Sequence, residues 1–153
     1  MKNSFISRSP TETKKFAKNL ARQILLKTAK KKHAFVLGLE GELGAGKTSF
    51  VQGFAKGLGV KEKVLSPTFL IMRKFEIRST KSETNTKYLY HIDCYRLKTP
   101  KELLALGWKE IVADPRNIVV VEWADKVKSI IPKDALWLTF SHAGKTKRTL
   151  SFK

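Results

Sequence analysis

Gly41-Glu42-Leu43-Gly44-Ala45-Gly46-Lys47-Thr48 fits G-x-x-x-x-G-K-[ST], the pattern of a phosphate-binding loop. What lies on either side of it decides the fold. The apolar run 34–39 (Ala-Phe-Val-Leu-Gly-Leu) precedes it and reads as a buried strand. An amphipathic stretch from Lys47 to about Leu58 follows and reads as a helix, stopped by Gly57-Leu58-Gly59. A strand, a glycine loop and a helix in that order are what the motif requires. Glycines let backbone N–H groups curl onto phosphate oxygens, and the helix N-terminus adds free N–H groups and the positive end of its dipole. In this reading Lys47 reaches the β- and γ-phosphates, and the Thr48 hydroxyl ligates Mg²⁺. Gly41, Glu42, Leu43, Gly44, Ala45, Gly46, Lys47, Thr48 and the adjoining Ser49 are the candidate nucleotide-binding residues of the loop.

Working outward, the same alternation of elements continues. Ser9-Pro10-Thr11-Glu12 is a helix start, with a capping serine, a proline at the first helical position and a glutamate placed for a capping box. Phe16, Ala17, Leu20, Ala21 and Ile24 form one apolar face of that helix, which runs to about Thr28. Beyond the loop helix, Ser66-Pro67-Thr68 leads into a β-rich run over 69–77, and the polar residues 78–87 read as a hairpin loop. The return strand is 88–95. Thr99-Pro100-Lys101-Glu102 repeats the capping pattern and starts a short helix with Leu103, Leu104 and Leu106 as its apolar face. Residues 108–112 suit a second helical turn, 118–121 a buried strand and 124–131 a helix stopped by Pro132. Two final strands, 135–140 and 146–152, flank a turn at 142–144. The pattern predicts a single α/β domain over residues 1–153. Its central sheet is mainly parallel and holds the loop strand and 118–121, with antiparallel hairpin extensions and flanking helices: a small P-loop NTPase.

The 153-residue length suits one domain, and 42% apolar content suits a folded globule. No apolar run approaches a membrane span, and residues 1–10 lack the apolar centre of a signal peptide. The lone Cys94 has no internal partner and points to the reducing cytoplasm. The net charge of +18 is uneven. Residues 1–33 hold ten Lys/Arg against one acid, and residues 126–153 hold seven against one; the stretch between them carries a net of only +3. The basic ends suit RNA or an acidic partner, and equally the solvated face of a lysine-rich protein, since lysine outnumbers arginine 24 to 7.

Nucleotide chemistry also needs an acid at the end of a neighbouring strand. The run 118–121 ends in Glu122, which is Walker-B-like with glutamate in place of the usual aspartate. Trp123 follows, as a packing residue or as a neighbour of the nucleotide. In His91-Ile92-Asp93-Cys94-Tyr95-Arg96 a strand would put His91, Asp93 and Tyr95 on one face. Asp93 then serves Mg²⁺ or belongs to a polar pair at a sheet edge. Thr68 is either part of a turn or a γ-phosphate sensor. No [NT]-K-x-D or D-x-x-G element supports a GTPase switch. A small-molecule P-loop kinase and a basic RNA-binding P-loop protein remain as alternatives.

Taken together, Gly41–Thr48, Val64-x-Ser66-Pro67-Thr68-Phe69, His91-x-Asp93-x-Tyr95-Arg96-Leu97 and Glu122-Trp123 resemble the TsaE (YjeE) family, in order, over about residues 9–123. The Ser9-Pro10-x-Glu12-Thr13 opening is similar too. The resemblance implies a bacterial cytoplasmic ATPase of tRNA modification. Such proteins act with the TsaB–TsaD pair in making N6-threonylcarbamoyladenosine at position 37 of tRNAs that read ANN codons. They hydrolyse ATP weakly alone and support repeated turnover. Carried onto this chain, the resemblance gives Lys47 to the phosphates, Thr48 and Glu122 to Mg²⁺, and Asp93 to the magnesium and catalytic region. It places Trp123 and Thr13 near the base. The strong positive charge departs from the family pattern, and it leaves open tRNA contact that is direct, through the basic ends, as well as indirect, through the partners.

Overall fold

The computed structural model of the chain describes residues 3–42, 44–65, 70–78 and 86–153. Among these residues seven strands form one sheet in the order β1 (Ser4–Ser7), β7 (Arg148–Phe152), β6 (Leu136–His142), β2 (Phe35–Gly41), β5 (Asn117–Glu122), β4 (Tyr88–Asp93), β3 (Met72–Glu76). The four middle strands, β6, β2, β5 and β4, are parallel; β1–β7, β6–β7 and β3–β4 pair antiparallel. This is the single α/β domain expected, with a parallel centre and antiparallel margins.

Alternation along the strands builds two cores. Leu37 and Leu39 of β2, Ile118 and Val120 of β5, and Leu138 and Phe140 of β6 face α1 (Pro10–Lys27) and α2 (Lys47–Leu58). Val36, Val119 and Val121 point the other way, toward α3 (Pro100–Leu104), α4 (Trp108–Ala113) and the 3₁₀ segment Ala124–Ile130. β5 is buried along its whole length, as a central parallel strand covered on both faces should be.

The α1–α2 contact is unusually close. Gly53 and Gly57, one helical turn apart, lie against the backbone of Lys14 and Lys18, where added Cβ atoms would stand 2.6 Å and 2.9 Å from the Lys14 and Lys18 Cα atoms. Phe16, Phe50, Phe54 and Phe140 fill the space below.

Several local expectations need revision. Ser9 does cap α1, accepting from the Glu12 N–H at 3.1 Å, but the Glu12 carboxylate accepts from Arg8 N–H, one residue outside a capping box. Glu102 likewise reaches Lys98 N–H, and the Thr99 side chain caps nothing. Leu106 is exposed rather than part of an apolar face. Residues 124–130 form 3₁₀ turns rather than an α-helix, kinked at Val127 where the backbone leaves helical φ/ψ (φ −122°, ψ 24°). The return strand ends at Asp93, so Tyr95 lies beyond it. β1 was not anticipated; it pairs with β7 from Ser4 opposite Ser151 to Ser7 opposite Arg148. Of the 69–77 run, Met72–Glu76 is strand. Leu43, the Ser66–Phe69 stretch with Thr68, and most of the 78–87 loop lie outside the described residues.

Candidate functional site

The carboxyl ends of β2, β4 and β5 open into one cleft of ≈ 490 Å³. In open α/β sheets this is where ligands bind. Its floor is the loop and the first turn of α2: Gly44, Gly46, Lys47, Thr48 and Ser49. One wall is Asp93, Tyr95, Arg96, Glu122 and Trp123, and the other is Ser9, Pro10 and Thr13 at the start of α1 with Thr146 from the β6–β7 turn and Arg148 at the start of β7. The parallel register places Asp93 opposite Glu122.

Gly46 caps α2 with φ +98°, a conformation that favours glycine, and supplies no side-chain cap. Phe50 N–H bonds back to Gly46 O at 3.0 Å, so the amides of Lys47, Thr48 and Ser49 precede the first helical hydrogen bond and point out of the helix start. With the helix dipole they form an anion-binding end facing the cleft. The Lys47 side chain is buried; its ammonium donates to Gly41 O and lies 3.6 Å from the centre of the Trp123 ring. Burial lowers its pKa, opposed by the charges of Glu122, Asp125 and Asp93.

Trp123 is held in place at a cost. Its φ of +56° makes it the sole non-glycine residue with positive φ among those described, a conformation worth about 1–2 kcal/mol of strain. Tyr95 packs on it with ring centres 5.2 Å apart. Burial raises the pKa of Asp93, the Glu122 charge raises it further, and the hydrogen bond from Tyr95 N–H at 2.9 Å works against both. Glu122 is itself buried, with its Oε2 2.5 Å from His91 Nε2.

The structure thus brings together Gly44, Gly46, Lys47, Thr48, Ser49, Thr13, Asp93, Glu122 and Trp123. The Thr13 hydroxyl is buried and bonded to Ser7 Oγ at 2.6 Å, so it meets the cleft as part of the wall. Gly41 serves through its carbonyl, Ala45 is packed into the core, and the Glu42 side chain is exposed. Sequence reasoning gave no site role to His91 or Thr146. Arg148 stands across the loop with its Nε 3.3 Å from Gly44 O. The signals for these three are spatial: strand register for His91, and the folding back of β7 for Thr146 and Arg148.

Among the described residues no cluster of three His, Cys, Asp or Glu side chains could hold a metal alone. The donor set instead suits Mg²⁺, which keeps waters and takes one or two carboxylates together with substrate phosphates. Glu122, Asp93 and the Thr48 hydroxyl could supply such donors. No helix among the described residues is long and apolar enough to cross a membrane.

The model of the family described as "Threonylcarbamoyl adenosine biosynthesis protein TsaE" matches residues 7–150. The chain is 36% identical over 144 residues to the tRNA threonylcarbamoyladenosine biosynthesis protein TsaE of Bacillus subtilis, covering 94% of this chain and 80% of that one. It is 35% identical over 119 residues to the Haemophilus influenzae protein of the same name, covering 78% and 69%. The crystal structure of Bacillus subtilis YdiB superposes with a TM-score of 0.70 at 32% identity, covering 97% of this chain and 82% of that one. With the family model matched over nearly the whole chain and the fold shared, the chain belongs to the TsaE family.

Proposed function

We propose that the chain binds and hydrolyses ATP in the biosynthesis of N6-threonylcarbamoyladenosine at tRNA position 37, acting in the cytoplasm with the TsaB–TsaD pair to support repeated turnover. The observation that carries this reading is the convergence of the uncapped α2 N-terminus and Lys47 with the adjacent carboxylates Asp93 and Glu122 in one cleft. The α2 amides and Lys47 bind phosphate oxygens. Thr48, Glu122 and Asp93 hold Mg²⁺, which neutralises charge on the β- and γ-phosphates when bound. Thr13 and Trp123 flank the nucleoside end, and Thr68 follows the γ-phosphate. Lys47 leaves Gly41 O and the Trp123 ring to meet the phosphates, and the charge it gains as a partner offsets its burial. The basic stretches 1–33 and 126–153 provide surface for tRNA in the assembled system.

The test is a reconstituted modification reaction with tRNA in excess over enzyme. Lys47→Ala should abolish multiple turnover; unchanged multiple turnover sinks the proposal. A second reading, a small-molecule kinase, draws on Arg96 and Arg148, both of which line the cleft. ATP-dependent phosphorylation of a metabolite in a substrate screen would favour it.

A further inference from the structure

A buried histidine sits just below the two strand-end carboxylates. His91 lies two residues before Asp93 on β4, so both side chains leave the strand on the same side. β4 runs parallel to β5 with His91 opposite Val120 and Asp93 opposite Glu122. His91 therefore reaches diagonally across the pair to Glu122, Nε2 to Oε2 at 2.5 Å. The imidazole is fully buried and the Glu122 side chain is 4% exposed. His91 Nδ1 has no hydrogen-bond partner among the described residues.

These facts select one tautomer. A proton on Nε2 is donated to the Glu122 carboxylate and leaves Nδ1 as a bare acceptor. A proton on Nδ1 would set two acceptors against each other at 2.5 Å and bury an N–H without a partner. The neighbouring carboxylate is held in the same way, since Asp93 Oδ1 accepts Tyr95 N–H at 2.9 Å. Each acid thus has one oxygen engaged by the protein. Among the described residues neither Glu122 Oε1 nor Asp93 Oδ2 accepts a hydrogen bond.

We infer that His91 is a positioning residue: its Nε2–H fixes the Glu122 carboxylate and thereby which oxygen Glu122 presents to the cleft. The inference rests on the reading of the cleft as a Mg²⁺–ATP site. Stability alone does not call for such a pair, because an apolar side chain of similar volume at position 91 would fill the core without burying polar groups. A carboxylate oriented in advance does benefit a metal-and-phosphate site, as other groups behind metal ligands show.

The test uses the full chain with His91→Leu and His91→Gln. Leucine removes the donor; the glutamine amide keeps an N–H able to reach Glu122. Three quantities are read: affinity for a fluorescent ADP analogue in EDTA, the gain in that affinity on adding Mg²⁺, and kcat and KM for ATP. His91→Leu should leave affinity in EDTA within about twofold, lose most of the Mg²⁺-dependent gain and lower kcat by roughly 10- to 100-fold. His91→Gln should recover most of both. A His91→Leu chain that keeps the Mg²⁺ gain and kcat within twofold of the original overturns the inference. So does a glutamine variant as impaired as leucine, or a loss seen in EDTA. Nitrogen-15 imidazole spectra of the unaltered chain test it without any variant: an Nε2-protonated ring supports it, and an Nδ1-protonated ring overturns it. If the unaltered chain binds no nucleotide, the reading of the cleft falls and the role of His91 falls with it.

Discussion

Gly53→Ala is a sharp test of how α1 and α2 build the cleft. In isolation this change favours a helix, since alanine is better than glycine in a helix interior by about 1 kcal/mol. The structure predicts the opposite sign. An added Cβ would stand 2.6 Å from Lys14 Cα and 2.8 Å from Lys14 C, where carbon atoms settle at about 3.5–4.0 Å. The obstacle is backbone and cannot rotate away, so α1 must retreat by roughly 1 Å. Overpacking typically costs about 1–3 kcal/mol, and a rigid obstacle belongs at the upper end. Set against the helix gain, the net loss is about 2 kcal/mol, or a fall in Tm of roughly 4–8 °C for a chain of this size. Lys14 follows Thr13, and Ser9, Pro10 and Thr13 wall the cleft. Nucleotide affinity should therefore drop with stability. The assay is thermal unfolding beside nucleotide titration, with exposed Lys56→Ala on the same helix as control. A Tm for Gly53→Ala at or above that of the original chain would refute the packing argument.

Other outcomes follow from individual residues. Burial raises the folded-state pKa of Asp93, so the charged form is disfavoured by folding. Below the unfolded value near 3.8 both states are protonated and no penalty exists; as pH rises through the folded value, stability is lost. Asp93→Asn should then raise Tm at neutral pH while destroying ATP hydrolysis, with the Tm difference vanishing toward pH 3; equal Tm values at pH 7 would contradict this. The Cys94 thiol is pushed up to about 12, chiefly by burial, so a thiol reagent at pH 8 should label it only on unfolding. The Trp123 ring lies over Lys47, so with Trp108→Phe and Trp137→Phe the remaining indole should change its emission on nucleotide binding, and Lys47→Ala should remove the response.

How much of this was legible in the chain depends on how local each signal is. The loop, its strand and α2 are contiguous, and the glycines at 46 and 59 mark both ends of that helix. Apolar β5 ending in Glu122 reads the same way, as a buried strand with an acid at its mouth. β1 carries no such signal. It is four residues long, borders a helix cap and exists because β7 offers it an edge. Both acidic residues expected to close capping boxes bond one residue further out, a detail of the helix entry that residue types do not encode. In the site, Lys47 and Glu122 could be read from their own motifs. The His91–Glu122 pair depends on the register of two strands 31 residues apart, and Arg148 meets Gly44 across 104 residues of chain.

The measurement that bears most directly on the central claim is ATP hydrolysis by the purified chain, alone and with a TsaB–TsaD pair, beside Lys47→Ala. The account predicts slow hydrolysis alone, stimulation by the pair, and loss of the stimulated rate in the variant. A rate indifferent to the pair, or one that survives removal of Lys47, would contradict it.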